Sequence, residues 1–306
     1  MNLHKVGIVI PTLNAGPNFE SLLENFKSFP NTNFRKLIID SSSNDQTADI
    51  SVQKGWEIEV IERKDFNHGR TRQFAVDLLS DCDLLIFLTQ DVVITNPNVI
   101  DLLISPFNDQ TIGAVCGRQL PHLNANPLAS HLRIFNYSNE SCIKDFKDIK
   151  KNGLKTAFMS NSFAAYRRKA LLEVGGFPKN IIFGEDMYVA AKMILSKWRL
   201  SYEANAYCYH SHNYTLLEEF RRYFDVGVFY NRESWLNDNF RGGGPEGIRY
   251  VKSELKYLIR NNFFWIPRSI FSIFFKFVAY KLGKNEKMLP VSFKKMISMN
   301  KTFWVI

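Results

Sequence analysis

Short apolar runs alternate with segments of helical spacing through the first third of the chain. Lys5–Pro11 (KVGIVIP), Lys36–Asp40 (KLIID) and Leu84–Leu88 (LLIFL) are continuous enough for strands buried on both faces. Glu57–Glu62 (EIEVIE) alternates, as a half-buried strand does. Between them, Phe19, Leu22, Leu23 and Phe26 recur at helical spacing, Asp45–Gly55 reads as a helix stopped by its glycine, and Gly69–Leu79 as another helix. This alternation predicts an α/β fold with a mostly parallel sheet and helices on both faces. Ligands of such folds sit at the carboxyl ends of the strands, where Asp40 and Asp91 both fall.

Further along, Gly113–His122 predicts a strand and its exit loop, and Asn161–Phe177 a strand followed by a helix ending at Gly175-Gly176. Gly184–Trp198 is a helix that opens on Glu185 and Asp186. Leu200–His212 is a strand ending in two histidines, and Leu216–Leu236 a helix. The Gly/Pro stretch Arg241–Gly247 then predicts a hinge between a body, residues 1–240, and a helical segment, residues 241–306.

Charge sharpens that division. The chain of 306 residues has a net charge of +9, yet residues 241–306 alone hold 13 Lys and Arg against 3 Asp and Glu. The body is close to neutral, so no nucleic-acid partner is expected. The tail interleaves Phe, Trp and Ile with Lys and Arg, the composition of an amphipathic helix lying in the plane of an anionic membrane surface. Arg268, Lys276 and Lys281 argue against a spanning helix over residues 266–282. Packing of a helical hairpin on the body is the competing reading. The N-terminal residues run from a short polar start into a strand-like stretch, without a signal-peptide pattern. The four cysteines show no metal or redox spacing and are expected to be reduced, in a cytoplasmic protein.

Several residues carry candidate chemistry. Asp91 follows a buried strand, where an unpaired carboxylate is costly, so a cation, a donor or a metal must compensate it. Pro11-Thr12 and Asp40 end neighbouring strands, and a carboxylate there can accept the imide N–H of uracil or thymine. The Ser-rich loop after Asp40 suits a ribose, or simply caps the next helix through Asn44 or Asp45. Arg70 and Arg72 beside His68 suit phosphate or a base carbonyl, or form an exposed basic turn. Glu185 and Asp186 either complement a helix dipole or act as acid–base groups. His210 and His212 share one strand face.

The segments VIPTLNAG, IIDSSSNDQT, FNHGRTRQ, FLTQD, SNSFAAYRRKALLEVGGF and GED occur in the order found in inverting family 2 glycosyltransferases, and the chain resembles that family from about residue 5 to residue 230. More narrowly, DFNHGRTR, LTQD, GRQLPH and YHSHNYT resemble bacterial rhamnosyltransferases of O-antigen pathways. The resemblance implies a GT-A, Rossmann-like fold and transfer of a sugar, L-rhamnose from dTDP-rhamnose, to a polyprenyl-diphosphate-linked glycan. It implies that Pro11, Thr12, Asp40, Arg72, Gln90 and Asp91 bind the nucleotide-sugar, that Asp186 is the general base and that Glu185 orients the acceptor. Asp91 matches the last acid of the family's D-x-D motif, whose first acid is replaced here by Thr89. With His210 it would hold a divalent metal, Mg2+ or Mn2+; His68 and His212 are secondary candidates. The enzyme would then work on the inner face of the bacterial inner membrane, held there by residues 241–306.

Two other classes compete. A sugar-1-phosphate nucleotidyltransferase needs a Gly-rich basic loop after its first strand, which PTLNAGPNFE lacks. A non-catalytic sugar- or membrane-binding module would not need Asp40, Asp91, Asp186 and His210 together.

Overall fold

A computed structural model describes residues 4–26, 29, 34–240 and 244–304. The hinge residues Arg241, Gly242 and Gly243 lie outside them, as do residues 1–3. The strands are β1 (Val6–Thr12), β2 (Phe34–Asp40), β3 (Glu57–Val60), β4 (Leu84–Leu88), β5 (Ile112–Leu120), β6 (Cys142–Lys144), β7 (Phe163–Arg167) and β8 (Arg199–Tyr209). The helices of the first half are α1 (Phe19–Asn25), α2 (Thr47–Gln53), α3 (His68–Leu78), α4 (Val99–Ile104) and α5 (Pro127–Asn136). There follow α6 (Ile149–Asn152), α7 (Arg168–Glu173), α8 (Glu185–Leu195), α9 (Leu216–Arg232), α10 (Trp235–Phe240), α11 (Gly244–Asn261), α12 (Ile266–Lys284) and α13 (Val291–Ile297).

The strands form one eight-stranded sheet in the order β3-β2-β1-β4-β7-β5-β8-β6. Pairings among β3, β2, β1 and β4 are parallel, as is β5 with β8; β7 runs antiparallel to both its neighbours and β6 to β8. The mostly parallel α/β sheet expected from the strand–helix alternation is therefore present. Period-2 alternation divides the central strands between two cores. Ile8, Ile10, Ile38, Leu84, Ile86 and Leu88 face one side, and Val9, Leu37, Ile39, Leu85 and Phe87 the other. Both faces are covered, which explains why these strands read as unbroken apolar runs. β3 is one of the two edge strands, and its exposed Glu57, Glu59 and Val60 explain its mixed pattern.

One departure from regular pairing aims the site. Between Gly117 and Arg118 the β5–β8 register jumps from Glu203 to Tyr207. A Cβ on Gly117 would lie 2.2 Å from the Phe163 ring, so only glycine fits there. Beyond the bulge, the segment after β4 crosses to the end of β8. Val93 and Tyr209 exchange backbone hydrogen bonds of 2.9 and 2.8 Å. That bridge brings Asp91 to the histidines more than a hundred residues later in the chain.

The tail helices do two things. α12 packs along α9 and buries Ser269, Ser272, Ala279 and Gly283, with the Ser269 hydroxyl donating to Glu254 of α11. The backbones approach so closely that a Cβ on Gly227 would meet the Tyr280 carbonyl at 2.3 Å, and one on Gly283 the Phe224 carbonyl at 2.1 Å. Glu219 of α9 pairs with Arg268 at 3.1 Å and with Lys276 at 3.0 Å, so two of the charges that spoil a spanning helix are consumed by the body. Asp225 of α9 gathers the Ser298 hydroxyl at 2.6 Å and the Asn300 amide N–H at 3.1 Å. The opposite face of α12 stays open, with Ile270, Phe271, Phe274 and Phe277 each more than half exposed. By length and composition alone Phe263–Lys284 is long and apolar enough to cross a membrane.

Candidate active site

Three groups of side chains meet along the carboxyl edge of the sheet. The first joins the ends of β1 and β2. The Thr12 hydroxyl donates to Asp40 Oδ1 at 2.8 Å, and Ser43 donates its hydroxyl to the same oxygen at 2.6 Å and its backbone N–H to Oδ2 at 2.7 Å. Asp40 is only 1% exposed. A carboxylate offers about four acceptor positions, so one position on Oδ2 remains. Gln90 spends both ends of its amide on Leu13, accepting its N–H at 2.8 Å and donating to its carbonyl at 3.2 Å. It thereby locks the loop after β4 onto the loop after β1, where Pro11 is half-buried. Asp45 accepts the Thr47 N–H at 3.0 Å from one residue before the N-cap; the N-cap of α2 is Gln46, which makes no side-chain cap, so neither Asn44 nor Asp45 caps the helix as expected.

The second group surrounds Asp91. Its Oδ2 lies 3.3 Å from His210 Nε2 and 3.7 Å from His212 Nδ1, and one ligand atom from each residue falls within 4.8 Å of the others. Burial would raise the Asp91 carboxyl, but the two histidines outweigh it and hold it well below the usual range. His212, stacked on Tyr214 at 5.1 Å, is driven down to about 4 by burial and by His210, so its ring is neutral at pH 7. One carboxylate oxygen and two imidazole nitrogens are a donor set that suits Mn2+ or another first-row divalent ion, and is less suited to Mg2+, which prefers oxygen. The residues therefore fit the divalent metal expected from the sequence. Both histidines, which the sequence left as alternatives, face the same point.

The third group lies at the start of α8. Gly184, at φ +80°, turns the chain into the helix, and Glu185 and Asp186 follow. Glu185 is buried against Arg72, whose guanidinium lies 3.1 Å from Oε1 and donates to the His68 carbonyl at 3.1 Å. Burial would raise Glu185, but the Arg72 charge, helped by the hydrogen bond from the Asn161 amide, wins and holds it below the usual range. Arg72 is 4% exposed, so the structure posts it as partner of an acid rather than in an open cleft. His68 is lowered by burial, with Arg72 and Arg222 adding to the effect, and its ring is neutral. Asp186 moves the other way. Burial and the neighbouring Glu185 charge push it up to about 7. Its Oδ1 accepts the Met187 N–H at 2.7 Å and its Oδ2 the Asn161 N–H at 3.1 Å.

Asn161 and Ser160 went unnoticed in the sequence as site residues. Asn161 donates its side-chain amide to Glu185 at 2.9 Å and accepts the Tyr166 hydroxyl at 2.7 Å, so one residue holds both acids. Ser160 pairs with Gln119 at 2.9 Å, and Gln119 in turn contacts His210. The dipeptide ties the acid pair to the Asp91 cluster. The only signal was a polar run, Ser160-Asn161-Ser162, directly ahead of the wholly buried strand β7.

Residues 7–175 match the family model for glycosyl transferase family 2. The chain belongs to that family. Across its length, the O-antigen chain rhamnosyltransferase RfbN of Salmonella typhimurium is 48% identical over 301 residues, covering 98% of this chain and 96% of that protein. WbaN of Salmonella anatum, with the same description, is 47% identical over 298 residues, 97% and 95% of the two chains. Among solved structures, a mannosyltransferase from Pyrobaculum calidifontis in complex with GDP-Man and Mn2+ superposes with a TM-score of 0.58 at 15% identity, covering 94% of this chain and 76% of that one. TarS 1-349 of S. aureus, in complex with UDP-GlcNAc, reaches 0.53 at 14% identity over 92% and 91%. These structural likenesses establish the GT-A-type fold. Membership makes the chain a glycosyltransferase and sets aside the nucleotidyltransferase and non-catalytic readings.

Proposed function

We propose that this glycosyltransferase transfers L-rhamnose, with inversion, from dTDP-rhamnose to a polyprenyl-diphosphate-linked glycan during O-antigen synthesis. The two relatives named O-antigen chain rhamnosyltransferases, nearly half identical along the full length, support the sugar and the pathway. The observation that carries the reaction is the acid pair: Glu185 held charged by Arg72, and Asp186 held near pH 7 beside it. That is the arrangement of a base able to take a proton at neutral pH.

In this reading the thymine imide N–H takes the remaining acceptor position of Asp40, and Pro11 and Thr12 lie against the base. Asp91, His210 and His212 would hold a divalent metal, which when bound screens the negative charge that develops on the departing diphosphate. The acceptor hydroxyl oxygen attacks the anomeric carbon, the bond from that carbon to the diphosphate oxygen breaks, and Asp186 receives the hydroxyl proton. One backbone N–H on each oxygen holds the Asp186 carboxylate in place and leaves an acceptor position on each, and Glu185 steadies the helix start.

The exposed faces of α11 and α12 would rest on the inner leaflet, where such an acceptor resides. The open row of Phe271, Phe274 and Phe277, and the lysines and arginines of residues 241–306, support this placement. The deciding experiment is transfer from a panel of nucleotide-sugars to a lipid-linked acceptor. Product with dTDP-rhamnose and little with UDP- or GDP-sugars is expected; a preference for another donor would overturn the sugar assignment.

A further inference from the structure

The Asp91 cluster has a support that the sequence did not reveal. Gln119 on β5 is fully buried, and its Oε1 receives two contacts: Arg133 NH1 of α5 at 2.9 Å and His210 Nδ1 at 2.9 Å. Its Nε2 faces the Ser160 hydroxyl at 2.9 Å. A guanidinium can only donate hydrogen bonds, so the side of the Gln119 amide facing Arg133 must be the oxygen. That oxygen can only accept. His210 Nδ1 must therefore carry a proton, and Nε2 is left as the atom that faces Asp91 at 3.3 Å. Histidine ligands are commonly held in this way, with one ring nitrogen donating to a fixed oxygen so that the other meets the ligand.

We propose that Gln119, oriented by Arg133, is a positioning residue that keeps a proton on His210 Nδ1 and aims its Nε2 at the site beside Asp91. The step from tautomer to metal affinity rests on the reading of Asp91 and His210 as metal ligands; the tautomer itself does not. Half-buried Arg133 stacks beside Tyr137, its guanidinium 5.8 Å from the ring centre, which limits its freedom to release Gln119.

The test uses the full chain labelled with 15N-histidine, in long-range 1H–15N correlation spectra at pH 8, where the tautomer of each of the six histidines is read directly. The His210 signals are assigned by their loss in His210→Gln. Mn2+ binding is titrated in parallel by electron paramagnetic resonance. Wild type should show Nδ1–H at His210. Gln119→Leu should mix in the other tautomer and weaken Mn2+ binding about 10–100-fold. Gln119→Glu, which keeps an acceptor for both partners, should restore both readouts. Arg133→Met guards against a Leu variant that does not fold, since freeing the amide to turn over should also mix the tautomers. An Nε2–H tautomer in wild type, or an unchanged tautomer in both Gln119→Leu and Arg133→Met, would overturn the proposal. If the tautomer responds as expected while wild type binds no Mn2+, the positioning role stands and the metal reading falls.

Discussion

Glu185→Gln is the most informative perturbation, because its effect reads out on its neighbour. The Asp186 carboxyl rises from 3.8 to about 7, through burial first and the Glu185 charge second. That is about a thousandfold tighter proton, or roughly 4 kcal/mol between the two protonation states. A general base works only when deprotonated. The rate of transfer should therefore fall about tenfold for each pH unit below about 7 and level off above it. Replacing Glu185 by Gln removes the like charge and leaves the Arg72 guanidinium without its counterion. Both changes favour the ionised form of Asp186, so the inflection should move to lower pH. The assay is kcat/KM for transfer from pH 5.5 to 8.5 in wild type, Glu185→Gln and Asp186→Asn. Asp186→Asn should lose about 10²–10⁴-fold at every pH while retaining nucleotide binding. A wild-type profile that is flat through pH 6–7, or an inflection that moves upward in Glu185→Gln, would refute the electrostatic reasoning. Wild-type activity in Asp186→Asn would remove the base itself.

Other expectations concern the metal, the membrane and the packing of the tail. His210→Ala should weaken Mn2+-dependent binding of dTDP in calorimetry while leaving metal-free binding unchanged; an unaltered metal titration would take His210 out of the site. Replacing Phe271, Phe274 and Phe277 together by Ser should abolish co-sedimentation with anionic vesicles, at about tenfold for each side chain, without lowering the melting temperature. Unchanged sedimentation would show that this face is not the anchor. Point substitutions are preferable to deleting residues 241–306, because deletion would strip Glu219 and Asp225 of their partners. Gly227→Ala should destabilise the fold by about 1–3 kcal/mol in thermal unfolding, since the new methyl has no room beside the Tyr280 carbonyl. An unchanged melting temperature would mean that α9 and α12 part without cost.

The first half of the fold was legible in the sequence because its strands are buried on both faces and its helices on one. Each pattern then reports local geometry directly. Leu84–Leu88 was bounded to the residue, and α3 to within one residue at either end. The pattern did not extend to α4, α5 or the three-residue β6, which were not expected, and the helix expected over 216–236 breaks at Glu233 into α9 and α10. The chemistry-bearing types were visible as well. Asp91 stood out as a carboxylate at the end of an apolar run, whereas Asp186 and His210 gained their roles through the resemblance of GED and YHSHNYT to the family's motifs.

What the sequence alone could not decide was which of these groups meet. Asp91 reaches both histidines because Val93 bridges to Tyr209 beyond a β-bulge, a pairing between residues far apart in the chain. Gln119 matters only through an oxygen shared by residues 14 and 91 positions away. Asn161 matters only because it reaches across 24 and 25 positions to Glu185 and Asp186. Residue type and local periodicity determine elements and candidate chemistry, since those depend on neighbours within a turn or a pleat. Tautomer, charge state and ligand geometry depend on distances of about 3 Å across the sheet edge, and the tertiary structure alone sets those.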